Sequence, residues 1–140
     1  MAGISDSMTT APHLFRALAD RTRLRIVNLL ARRSLCVCDI QRILEQPQSS
    51  VSRHLALLKS AGLIVDRRDG MRTFYALTTW DSPLARAVLA AIRGHLGVEA
   101  DYQRDVEELS AMRARGDCHQ EAKRRGSRAA SGRVEAHVEA

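Results

Sequence analysis

Aromatic side chains are scarce, with two Phe, two Tyr and one Trp in 140 residues. The core must therefore be aliphatic, and 45% hydrophobic content is enough to build one. No apolar run approaches the ~18 residues that a membrane span needs, so no membrane partner is expected. Residues 1–10 lack the charged start and apolar stretch that mark secretion. Three cysteines, an odd number, without such a signal point to reduced thiols in a cytoplasmic protein. There is no Gly-rich phosphate loop, no paired-carboxylate arrangement and no nucleophile–base spacing. Those gaps argue against an enzyme and against an organic cofactor.

What the chain does carry is positive charge, +6 net. A small basic protein suits a polyanion partner, although charge by itself is a weak guide. The arrangement of elements is more specific. Residues 1–11 read as a polar arm. Pro12 suits the first position of a helix, with Leu14, Phe15 and Leu18 on its apolar side. Asp20 reads as the N-cap of a second helix, whose arginines Arg21, Arg23, Arg25, Arg32 and Arg33 form a solvated face. Helical spacing resumes from Asp39 to Leu44, breaks at Gln46-Pro47-Gln48, and resumes to about Ser60 before Gly62. Two helices joined by a three- or four-residue turn predict a helix-turn-helix.

Leu63 to Asp66 and Met71 to Leu77 read as two strands joined through Asp69-Gly70, a strong hairpin signal. A hairpin directly after a helix-turn-helix is a wing. The predicted fold class is thus mainly α with a small β-hairpin, a winged helix-turn-helix. Pro83 opens a long helix whose apolar repeat extends to Met112. Its apolar surface and that of the first helix exceed what one small domain can bury, which predicts a homodimer through the first and last helices. The expected organisation is an arm over 1–11, a DNA-binding and dimerisation domain over 12–112, and a largely disordered basic tail over 113–140 carrying Cys118.

In such a motif the second helix enters the major groove of double-stranded DNA, with its N-terminal residues at the base edges. Gln48, Ser49, Ser52 and Arg53 occupy that position. Gln suits an adenine edge, Arg a guanine edge, and Ser either base or phosphate. His54 suits a phosphate contact or the edge of the core better than a metal. Arg67, Arg68 and Arg72 on the wing suit backbone contacts, which are salt-dependent and carry little sequence information.

Cys36 and Cys38 stand two residues apart. On an ideal helix they would point roughly 160° from each other, whereas on extended backbone they share a face. They can therefore hold one ion only where the chain entering the first motif helix is extended. Thiolates are soft donors and select soft ions. Cys118, just past the last helix, can supply a third sulfur, with His119 a weaker alternative donor.

The run Leu35-Cys36-Val37-Cys38-Asp39-Ile40, together with Ser52-Arg53-His54-Leu55-Ala56-Leu57-Leu58, the Asp66-Arg67-Arg68-Asp69-Gly70 wing and Ala17-Leu18-Ala19-Asp20-Arg21-Thr22-Arg23-Leu24, resembles the ArsR/SmtB family of bacterial metal-responsive repressors. The resemblance covers about residues 12–96 and is greatest to the arsenic repressors. It implies a homodimer that occupies operator DNA of an arsenic-resistance operon and leaves it when As(III) or Sb(III) binds cysteine. Many of those repressors carry a third cysteine where this chain has Gln41, so the implied three-thiolate set is incomplete within the helix. The resemblance also implies an alternative, a Cd(II)/Pb(II)/Zn(II) sensor of the same fold, and the cysteines themselves leave open a thiol-redox repressor. In the latter a Cys118 bridge is preferred, because a one-residue loop strains a disulfide.

Overall fold

The computed structural model describes residues 10–121. Five helices lead or flank a three-stranded antiparallel sheet, and a sixth folds back over them. The order is α1 (Ala11–Leu18), α2 (Arg21–Leu30), β1 (Leu35–Cys36), α3 (Val37–Leu44), α4 (Gln48–Ser60), β2 (Ile64–Asp69), β3 (Arg72–Leu77), α5 (Pro83–His95), a 3₁₀ turn (Leu96–Val98) and α6 (Ala100–Arg115). The result is mainly helical with a small sheet, as a winged helix-turn-helix requires. No helix among the described residues is long and apolar enough to cross a membrane.

The starts and stops follow local chemistry. Pro12 lies in the first turn of α1. The Asp20 carboxylate accepts from the Arg23 amide at 3.1 Å and caps α2. Ser82 caps α5 by accepting from the Ala85 amide. Gly62 takes φ +81 where α4 gives way to the first wing strand, a conformation that costs glycine little. The aliphatic core runs through Ile26, Leu29, Leu30, Leu35, Ile40, Val51, Leu55, Leu58 and Leu63, all at most 1% exposed. Trp80 closes one end, with its ring nitrogen donating to the Leu63 carbonyl at 3.1 Å.

The wing departs from expectation by one residue. Asp69 pairs with Arg72, so the loop is Gly70-Met71 and not Asp69-Gly70. Gly70 has φ +65, as the first loop residue of a Gly-X two-residue turn does. β1 adds a third strand on the other side of β3, with Cys36 opposite Phe74.

Two boundaries also move. Helix α1 starts at Ala11, inside the expected arm, while residues 1–9 lie outside the described residues. The long helix expected from Pro83 to Met112 is two helices. It breaks over Leu96–Val98 beside Gly94 and Gly97, and α6 then folds back along α2. Tyr102, Leu109 and Met112 are buried there. Arg25 and Asp105 lock the return through two bonds of 2.8 and 2.9 Å. The α2 arginines are therefore not a uniform solvated face. Arg25 and Arg21 pair with Asp105 and Asp101 on α6, and Arg23 donates to the Ala17 carbonyl at 2.6 Å. Residues 118–121, assigned to a disordered tail on composition, are placed against the helix-turn-helix; residues 122–140 lie outside the described residues.

Candidate thiol site and nucleic-acid interface

The thiol pair sits where strand becomes helix. Cys36 is the last residue of β1 and the N-cap of α3, with extended dihedrals (φ −77, ψ 156). Its sulfur accepts from the Asp39 amide at 3.3 Å. Helix begins at Val37, two residues before the expected start near Asp39, so Cys38 is already helical. One extended residue is enough to turn the two side chains together. Cys36 and Cys38 are bonded sulfur to sulfur, with their Cα atoms 5.3 Å apart. The expectation that a bridge would use Cys118 does not hold. Cys118 is free.

The third donor is the other residue of the tail. His119 Nδ1 lies 3.4 Å from Cys38 Sγ, 3.6 Å from Cys36 Sγ and 2.9 Å from Asp39 Oδ1. The His119 amide donates to Asp39 Oδ2 at 2.8 Å. Asp39 is fully buried, so imidazole and carboxylate hold each other in place. The donor atoms of Cys36, Cys38, Asp39 and His119 all lie within 4.8 Å of one another. Two sulfurs, an imidazole and a carboxylate suit a soft or borderline ion once the sulfurs are reduced.

The structure does not bring Cys118 into this group. Gly116, with a left-handed φ of +76, ends α6, and the chain beyond it is non-helical. His119 faces the helix-turn-helix and Glu121 the wing. Cys118 and Gln120 line a separate recess with Arg33 and Arg113. Burial, and then the Asp39 charge, push the Cys118 thiol above its ordinary value, which leaves it less thiolate at neutral pH. Asp39 had no assigned role in the sequence. Its signal is an acid in the first helical turn beside two thiols.

Of the expected DNA contacts, Gln48, Ser49, Ser52 and Arg53 are exposed on the first turns of α4, while Val51, Leu55 and Leu58 anchor its other side. No side chain caps that helix start, which leaves its amides available to phosphate. The three-residue turn before it ends α3 with Glu45 in the left-handed region (φ 56). Gln46 pins the turn by bonding Thr22 and Ser50, each at 3.1 Å. Arg68 and Arg72 are exposed on the wing.

Two expected contacts are placed otherwise. His54 turns toward α2, 3.2 Å from Arg23 and 3.7 Å from Asp20, with its side chain 15% exposed. Its position one residue beyond Arg53 rotates it toward the core edge. Arg67 lies on the opposite face of β2 from Arg68 and gives Nε and one terminal nitrogen to the Glu121 carboxylate, at 2.9 and 2.8 Å.

The sequence profile described as "Bacterial regulatory protein, arsR family" matches residues 20–65. The chain is 40% identical over 96 residues to the arsenic resistance transcriptional regulator ArsR1 of Pseudomonas putida, covering 65% of this chain and 75% of that protein. It is 52% identical over 66 residues to the arsenical resistance operon repressor of Escherichia coli, covering 46% of this chain and 56% of that one. Among solved structures, reduced HlyU from Vibrio cholerae is similar in fold and sequence. Its TM-score is 0.53 at 33% identity, over 59% of this chain and 83% of that one.

Proposed function

Because the chain belongs to the arsR family of bacterial regulatory proteins, whose members are DNA-binding transcriptional regulators and not enzymes, we propose that it represses an arsenic-resistance operon and leaves operator DNA when As(III) or Sb(III) binds Cys36 and Cys38. The observation that carries this reading is the convergence of the two sulfurs at the N-cap of α3. The names of the Pseudomonas and Escherichia relatives agree with it. When bound, the metalloid supplies a soft Lewis-acid centre to the two thiolates. The protein contributes the thiolates, the His119–Asp39 pair that orients the third donor, and a strand that joins Cys36 to the wing.

Gln48, Ser49, Ser52 and Arg53 read base edges in this proposal, and Arg68 and Arg72 hold the DNA backbone. The partner that completes a two-half-site reader is a second copy of the chain. It docks on the apolar groove of Phe15, Leu18, Leu24, Val88, Ile92 and Leu96 between α1 and α5. Helix α6 packs on its own chain, so in this proposal the α5 half of the long helix expected from Pro83 shares the interface with α1.

The test is a mobility shift with the operator, using protein reduced by a phosphine. Arsenite is expected to release wild type and to leave Cys36→Ser and Cys38→Ser bound. Normal release of both variants sinks the proposal. Cys118→Ser is expected to keep its arsenite affinity, because that thiol is not among the donors that converge on the sulfur pair. A tenfold weakening would return Cys118 to the ligand set.

The imidazole and carboxylate at the site favour one second reading, a Cd(II)/Pb(II)/Zn(II)-responsive repressor. Stronger release by Cd(II) than by arsenite would put that reading first.

A further inference from the structure

Residues 117–121 cross the face of the helix-turn-helix and are fastened at three points. Arg42 on α3 donates to the Asp117 carbonyl at 3.3 Å. His119 is held by Asp39 and faces both sulfurs. Glu121 then reaches the wing and takes the Arg67 guanidinium in two bonds of 2.8 and 2.9 Å. The two side chains are only 19% and 25% exposed, so this is a largely desolvated, charge-assisted pair and not a surface contact. Apolar Val65, Phe74 and Ala76 line the recess around it.

We propose that this segment is a strap that competes with DNA for Arg67, so that docking of His119 on the sulfur pair and backbone binding by the wing oppose each other. The coupling half rests on the reading of Cys36 and Cys38 as the sensor. A guanidinium whose Nε edge gives two bonds to a carboxylate has its charge offset and offers a phosphate only its remaining edge. The Glu121 charge also repels the DNA backbone. Pairing with Glu121 and pairing with phosphate therefore oppose each other at Arg67, and such opposition is reciprocal. Whatever holds His119 against the sulfurs keeps Glu121 on Arg67 and weakens the wing's hold on DNA. DNA bound through Arg67 frees Glu121 and loosens the cover over the sulfurs. The direction agrees with release of DNA by a ligand of the thiols.

The strap can be tested first with no inducer present. Full-length Glu121→Gln is compared with wild type for binding of a fluorescent duplex of arbitrary sequence across a salt series. The variant is expected to bind about three- to tenfold more tightly at low salt. Its log affinity should fall more steeply with log salt, by about one further unit of slope, because one more arginine reaches phosphate. In an Arg67→Gln background the same change is expected to do nothing. Unchanged affinity and slope overturn the strap, and so does an equal gain in the Arg67→Gln background, which would mark a general charge effect. A second arm uses operator DNA and arsenite. Wild type that ignores arsenite overturns the sensor reading and with it the coupling. Wild type that responds while Glu121→Gln is released by the same factor overturns the strap alone.

Discussion

Asp105→Ala is expected to destabilise the fold by about 3 kcal/mol, near the lower end of what breaking a buried ion pair costs. Asp105 is 2% exposed and accepts two bonds from Arg25, whose side chain is 16% exposed. The Asp105 hydrogen bonds outweigh burial and hold the Arg25 guanidinium above its ordinary value. Without the carboxylate, a largely buried cation is left between α2 and α6 without its partner. Urea denaturation followed by circular dichroism measures the loss. Arg25→Met combined with Asp105→Leu should recover most of it, because the cost lies in the stranded charge and not in the absence of the pair. A loss below ~1 kcal/mol for Asp105→Ala would show that α6 is held by its apolar face alone. The same variant bears on function. The segment that carries His119 and Glu121 starts where α6 ends, so a loosened α6 loosens both contacts.

The second large effect concerns assembly. Phe15 is 50% exposed at the rim of the groove between α1 and α5. Phe15→Glu is expected to halve the mass in sedimentation and to lower operator affinity by about 10²–10⁴-fold, the advantage that linking two reading heads gives over one. The fold itself should survive, because Phe15 makes little of the core. A Phe15→Glu protein that stays dimeric would move the interface away from this groove.

Much of the architecture was legible because it is written in short-range signals. Asp20 caps its helix, Gly62 and Gly70 take positive φ, and Pro12 and Pro83 open helices. Each depends on residues at most a few positions apart. The spacing of Cys36 and Cys38 forecast an extended entry, and one extended residue at the N-cap provides it. What the sequence did not reveal depends on partners far along the chain. Arg25 and Asp105 are 80 residues apart, and nothing local separates that arginine from a solvated one. The break over Leu96–Val98 was visible only as a weak stretch near two glycines, and its consequence, the return of α6, is a tertiary outcome. The choice between Cys118 and His119 turned on which of two neighbours faced inward. That outcome is set by how the non-helical segment after Gly116 meets the rest of the fold. His54 and Arg67 illustrate the same limit: each lies among residues of the expected chemistry, rotated toward a partner from another element.

The donors that meet at the sulfur pair are separated in time as well as in sequence. Cys36 and His119 lie 83 residues apart, and a chain made at ~5–20 residues per second takes about 4–17 s to cover that distance. Throughout that interval the nascent protein displays both thiols, and soon afterwards the whole reading head, without the imidazole that covers them. Only a chain grown past His119 has both halves of the site, so the donors gathered at the sulfur pair can meet only late in synthesis.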